Sequence, residues 1–214
     1  MNGSHSWKFI WWGTAGCASR ATQVFLVSSG CEDLRNYSEN CHINNECSHT
    51  HNQGIPKGME DYPIICNLRN PYSLSVSSWL DETIGEGHTS KGMSFSDWVL
   101  NSLTGEHRIA QDYPHYFINQ WEDIGRRPDY FIRVECMEED IKKIPFIPKS
   151  ERYEDSFNSM IRVNSFKNEN PNDEYRGEFQ NFQKYYTKEL ADRIYETHIE
   201  YFEIGGYDKD SWKL

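Results

Sequence analysis

Three clusters of residues in this chain have the types and spacing to act on an anion. The first is Gly13-Thr14-Ala15-Gly16-Cys17-Ala18-Ser19-Arg20, which follows the apolar strand candidate Lys8-Phe9-Ile10-Trp11-Trp12 and precedes the helix-competent stretch Ala21 to Val27. Small residues at a strand-to-helix turn leave several backbone N–H groups pointing outward together, with the positive end of the helix dipole behind them. Such a turn cradles phosphate. It carries neither the Gly-Lys-Ser/Thr of a Walker A loop nor the GxGxxG of a dinucleotide turn, and a plain strand–turn–helix corner is the other reading. The second cluster is Arg69-Asn70-Pro71-Tyr72 with Ser73 and Ser77. An arginine fork beside hydroxyls on one helix flank suits a terminal phosphate; an arginine paired with a carboxylate, and serines facing solvent, is the alternative. The third is Cys47-Ser48-His49-Thr50-His51-Asn52. Histidine titrates near neutral pH and so serves as a general base. The same two rings also read as solvated loop residues or, with Cys41, His42 and Cys47, as zinc ligands, although no C-x₂-C or H-x₃-H spacing is present.

For the first two clusters to work, a strand must deliver each of them to the edge where open α/β sheets bind ligands. Ile64 to Leu68 reads as a buried parallel strand, Asn70 as an N-cap and Pro71 as the first helical residue. Arg69 then sits where the strand ends, and Ser73 and Ser77, four apart, share a helix face. The predicted order alternates: strand 8–12, helix 17–28, a polar stretch 31–61, strand 62–68, helix 71–81, strand 130–134, and a helix 138–143 ended before Pro145. Residues 148–184 read as loop-rich. Thr187 caps a long helix with Leu190, Ile194, Ile199 and Phe202 on one face, stopped by Gly205-Gly206. This alternation predicts an α/β fold, a central parallel sheet with helices on both faces, in a single domain over residues 1–214. Arg133 and Glu135 on the later strand are spaced for an internal ion pair. Trp98, Tyr113, Tyr116, Phe117 and Trp121 offer flat faces to an acceptor such as a sugar, or fill a core.

Gly13-Thr14-Ala15-Gly16-Cys17-Ala18, and Arg69-Asn70-Pro71-Tyr72 with Ser77, resemble the two signatures by which sulfotransferases bind 3′-phosphoadenosine 5′-phosphosulfate (PAPS). The first is similar to the Pro-Lys-Thr-Ala-Gly-Thr-Ser loop of the carbohydrate-type branch, the second to Arg-Asp-Pro followed by a serine eight residues after the arginine. Tyr185-Tyr186-Thr187-Lys188-Glu189-Leu190, running on to Tyr201-Phe202-Glu203-Ile204-Gly205-Gly206-Tyr207, resembles that branch's closing helix.

The resemblance implies a P-loop-like three-layer fold and transfer of a sulfuryl group from PAPS to an acceptor hydroxyl on a saccharide or other small molecule. By position, residues 13–20 hold the 5′-phosphosulfate, and Arg69 and Ser77 hold the 3′-phosphate. Asn164, Ser165 and Lys167 fall where the family closes a loop over the nucleotide. The histidine pair resembles the His-Gly-His segment of uronyl 2-O-sulfotransferases, which makes His51 the base and His49 an acceptor contact. Residues 83–128 match nothing in the family and read as a variable acceptor or lid segment. The family's loop lysine, which contacts the leaving oxygen, corresponds to Gly13, so its role passes to Arg20 or to backbone N–H groups. No metal is implied, and the spent donor is 3′,5′-adenosine bisphosphate. Two other readings remain: a nucleotide kinase or other phosphoryl transferase using the same loop, and a non-catalytic nucleotide- or zinc-binding accessory module.

Composition narrows the partners. A formal charge of −11 gives no long-range attraction to nucleic acid or an anionic membrane, yet a few local cations and N–H groups suffice for a nucleotide. Aromatic content of 14% argues for a packed core despite a mean hydropathy of −0.81. The cysteines at 17, 31, 41, 47, 66 and 136 form no regular framework and read as reduced thiols. With no run of eighteen apolar residues, no signal peptide and a first strand beginning by residue 8, a bacterial-type cytoplasm is expected, in a chain of bacterial or bacteriophage origin.

Overall fold

Phe9-Ile10-Trp11-Trp12 and Ile64-Ile65-Cys66-Asn67-Leu68 are almost wholly apolar on both sides of the pleat, the pattern of strands covered on both faces. The computed structural model describes residues 2–14, 17–31, 35–36, 55, 58–84, 92–104, 126–149, 151–165 and 181–213. Every residue of both strands is buried in it. The elements run, in chain order, β1 (Asn2–Ser4), β2 (Phe9–Trp12), α1 (Ser19–Ser28), β3 (Arg35–Asn36), β4 (Ile64–Leu68), α2 (Pro71–Ile84), α3 (Phe95–Thr104), β5 (Tyr130–Arg133), α4 (Met137–Lys142), α5 (Tyr153–Ser165), α6 (Lys188–Thr197) and α7 (Ile199–Gly205). They fall into two compact units, Met1–Leu68 with Asn119–Phe166, and Arg69–Ile118 with Lys167–Leu214.

The first unit is α/β. Its five strands lie in the order β3-β1-β2-β4-β5. β2, β4 and β5 are parallel, with Ile10 beside Ile64 and Cys66 beside Phe131, while β1 runs antiparallel to both β2 and β3. The sheet is therefore mixed where the sequence predicted a parallel one. Two short polar strands, β1 and β3, were not predicted; β1 is turned back onto β2 by residues 5–8, where the Trp7 N–H donates to Ser4 Oγ at 3.0 Å. Phe9, Trp11, Ile65 and Ile132 on one sheet face share a core with Ala21, Phe25 and Leu26 of α1, Met137 and Ile141 of α4, and Tyr153, Phe157 and Met160 of α5. The Phe25 ring sits 4.7 Å from Phe157 and meets Tyr153 edge-on at 5.5 Å. α5 corrects the loop-rich reading of 148–184. Its buried positions follow helical spacing, but the polar residues between them mask it. Arg133 closes its fork on Asp140, with Nε and Nη2 each 2.8 Å from a carboxylate oxygen. Asp140 lies in the first turn of α4.

The second unit has helices and, among the described residues, no strand. Tyr72, Val76 and Leu80, four apart on α2, meet Phe95, Trp98 and Val99 of α3 together with Leu190, Ala191 and Ile194 of α6 and Phe202 of α7. Trp98 is thus core. Thr187 Oγ1 accepts the Leu190 N–H at 3.3 Å and caps α6 as expected. The long helix is broken, however, at His198 (φ −126°, ψ 27°). Beyond the break Tyr201 and Phe202 are buried and Ile199 is 41% exposed, so Ile199 does not share the buried face of Leu190 and Ile194 on which the sequence placed it. Gly206, at φ 63°, ends α7 in the left-handed conformation that glycine adopts without strain. No helix among the described residues is long and apolar enough to cross a membrane.

Candidate phosphate-binding turns

β2 delivers the small-residue turn to the carboxyl end of the sheet in the first unit. Ala18 takes the left-handed conformation (φ 54°, ψ 32°) and turns the chain into α1. The first helical bond runs from the Thr22 N–H to Ala18 O at 3.1 Å, so the amides of residues 18–21 are those a helix start leaves without an intrahelical acceptor. The Cys17 N–H is turned inward to Thr14 O at 3.2 Å. Thr14 is buried, and its hydroxyl donates to Asn67 O at 2.8 Å with Cys66 Sγ 3.3 Å away. What this turn offers a ligand is therefore main-chain N–H, with the Thr14 proton already committed. Gly13 has no room for a side chain: a Cβ there would lie 2.8 Å from Trp11 Cζ2 and 2.9 Å from Ser19 Cβ. Ala15 and Gly16 lie outside the described residues, and Arg20 stands in the first turn of α1.

Asn67, fully buried, was not foreseen. Its Oδ1 accepts from Trp11 Nε1 at 2.7 Å and its Nδ2 donates to Thr22 Oγ1 at 2.7 Å. A lone amide inside the apolar run Ile-Ile-Cys-Asn-Leu was the available signal, since a buried polar side chain must find partners. Burial pushes the neighbouring Cys66 thiol up to about 12, against a smaller opposing effect of the Thr14 hydrogen bond. It is no nucleophile.

Arg69, Ser73 and Ser77 belong to the second unit. Asn70 caps α2 as expected, its Oδ1 accepting the Tyr72 N–H at 3.0 Å and its carbonyl the Leu74 N–H at 2.8 Å. With Pro71 lacking an N–H and the Tyr72 amide capped, this helix start offers an anion fewer main-chain donors than the turn after β2. The Arg69 Nε donates to Ser73 Oγ at 3.0 Å, which leaves the serine its own proton to donate. Ser73 and Ser77 are 6% and 4% exposed, so the solvent-facing reading of these serines fails. Residues 209–211 brace this start: Asn70 Nδ2 donates to Ser211 Oγ at 2.8 Å and Tyr72 Oη to Lys209 O at 2.7 Å. The Arg69 N–H reaches Tyr201 Oη of α7 at 3.4 Å, so the stretch likened to a closing helix packs on the Arg69 segment.

His49, His51 and Lys167 lie outside the described residues, as do Cys41, His42 and Cys47. Asn164 and Ser165 end α5 instead of occupying a loop. Cys17, Cys31, Cys66 and Cys136 are thiols. Among the described residues no three His, Cys, Asp or Glu side chains are grouped to hold a metal ion. Compared with protein-family models, with curated proteins and with solved structures, the chain gives no match.

Proposed function

We propose that this chain is a PAPS-dependent sulfotransferase with a P-loop-like α/β core, acting on an acceptor hydroxyl, on a saccharide by the branch its motifs resemble. The observation that carries the reading is the Arg69 segment. A guanidinium held by Ser73 at 3.0 Å, with a second buried serine one turn on, is the apparatus for a terminal phosphate. The turn after β2 supports it, since its amides at 18–21 suit a 5′-phosphosulfate. In the proposed reaction His51 takes the acceptor proton, and the acceptor oxygen attacks sulfur in line. The bond between sulfur and the 5′-phosphate oxygen breaks, releasing 3′,5′-adenosine bisphosphate. Most of the remaining work is positioning and charge neutralisation, by analogy with phosphoryl transfer.

Calorimetry is expected to show binding of 3′,5′-adenosine bisphosphate but not ATP, weakened at least tenfold in Arg69→Ala, about 1.4 kcal/mol or more. His51→Ala is expected to abolish turnover while keeping nucleotide affinity within about threefold, under ~0.7 kcal/mol. ATP turnover dependent on Mg²⁺ would replace the proposal with the kinase reading. One observation favours a second reading, a nucleotide-binding module without transfer: Trp11 and Ser19 fill the space a cation at position 13 would need. Binding without transfer to any of a panel of hydroxyl acceptors would decide for it.

A further inference from the structure

We infer that Asn67 is the positioning residue of the phosphate turn, an inference that rests on the functional reading above. Three of its polar contacts bracket the turn. Trp11 stands before it, Thr14 opens it and Thr22 follows it inside α1, at 2.7, 2.8 and 2.7 Å respectively. All four residues are buried, so water cannot substitute for a lost partner, and each bond constrains geometry more than it would at a surface. Asparagine is suited to this place: the side chain must accept from an indole N–H and donate to a hydroxyl at once, and its backbone carbonyl takes a third proton. An apolar residue of similar size would leave the Trp11 N–H buried without its acceptor. Held this way, the Trp11 ring lies where a Cβ on Gly13 would be. Asn67 therefore both orients the amides of 18–21 and, through Trp11, keeps the turn free of a side chain at 13. It touches no ligand; it acts through the turn.

The test separates the turn from the rest of the nucleotide site. Asn67→Ala and Thr22→Val are titrated with 3′,5′-adenosine bisphosphate and with adenosine 3′-phosphate, which carries nothing for the turn to hold. Thr22→Val keeps volume and removes one bond, so it remains informative where Asn67→Ala fails to fold. Affinity for the bisphosphate is expected to fall about tenfold per bond lost, with affinity for adenosine 3′-phosphate unchanged. Equal losses for both ligands show a merely structural role, and no loss for either shows none; both outcomes overturn the inference. Failure of the unmodified protein to bind the bisphosphate overturns the functional reading instead. In that case amide hydrogen exchange on the ligand-free protein still judges Asn67: Thr22→Val should speed exchange at residues 17–19 while sparing α5, and unchanged rates at 17–19 refute the positioning role.

Discussion

A side chain on position 13 meets Trp11 Cζ2 at 2.8 Å and Ser19 Cβ at 2.9 Å from its first carbon alone, and the indole it would push is itself hydrogen-bonded to Asn67. Restoring the lysine of the resembled family is therefore expected to fail. Gly13→Lys should cost about 1–3 kcal/mol by overcrowding, read as a lower Tm, without raising turnover. Gly13→Ala should already show most of the loss, because the clash begins at Cβ. A lysine variant as stable as the original would show that Trp11 moves aside freely. The departure at Gly13 was legible in the sequence. Its cause was not, because nothing local says which way the Trp11 ring points. Asn67 was half legible: an amide in an apolar strand announces a partner but does not name it.

At the scale of elements, the strands and helices flanking the two turns were readable because each pairs a short apolar run with strong punctuation. Asn70-Pro71 fixed the start of α2, and Thr187 and Gly206 fixed the ends of the last helical stretch. β1 was missed because Asn2-Gly3-Ser4 has no pattern and owes its strand to pairing with β2. The break at His198 was missed for a different reason, since residues 187–205 carry no proline and no internal glycine. His198 is 5% exposed, and burial holds its ring down at about 4 against an ordinary 6.5. The folded chain thus favours the neutral ring. Its contribution is complete above pH 6.5 and is lost as pH falls toward 4, where the unfolded chain gains a proton that the folded one refuses. The loss over that window should reach roughly 3 kcal/mol. Thermal unfolding followed across it is expected to show a flatter acid limb in His198→Gln than in the unmodified protein; parallel limbs would acquit His198.

For the whole molecule, the formal charge of −11 sets the approach of any doubly phosphorylated ligand. Like charges repel until screened, so the association rate of 3′,5′-adenosine bisphosphate should rise as salt goes from about 10 to about 150 mM and the screening length falls from roughly 30 to 8 Å. A falling rate in stopped-flow measurements would mean that local cations, Arg69 foremost, outweigh the net charge. The division into two compact units was not legible, because each is built from two separate stretches of chain and the first of the three boundaries, between Leu68 and Arg69, falls within one continuous strand-to-helix connection that carries no linker composition. One buried atom in the first unit offers a means of timing its motions. Cys66 sits on β4 between two paired strands, 3% exposed and with its proton held up to about 12, so an alkylating reagent finds no thiolate while the strands stay together. Each molecule modified at Cys66 then records one parting of the sheet, which makes this thiol a native stopwatch for breathing events that spectroscopy averages away.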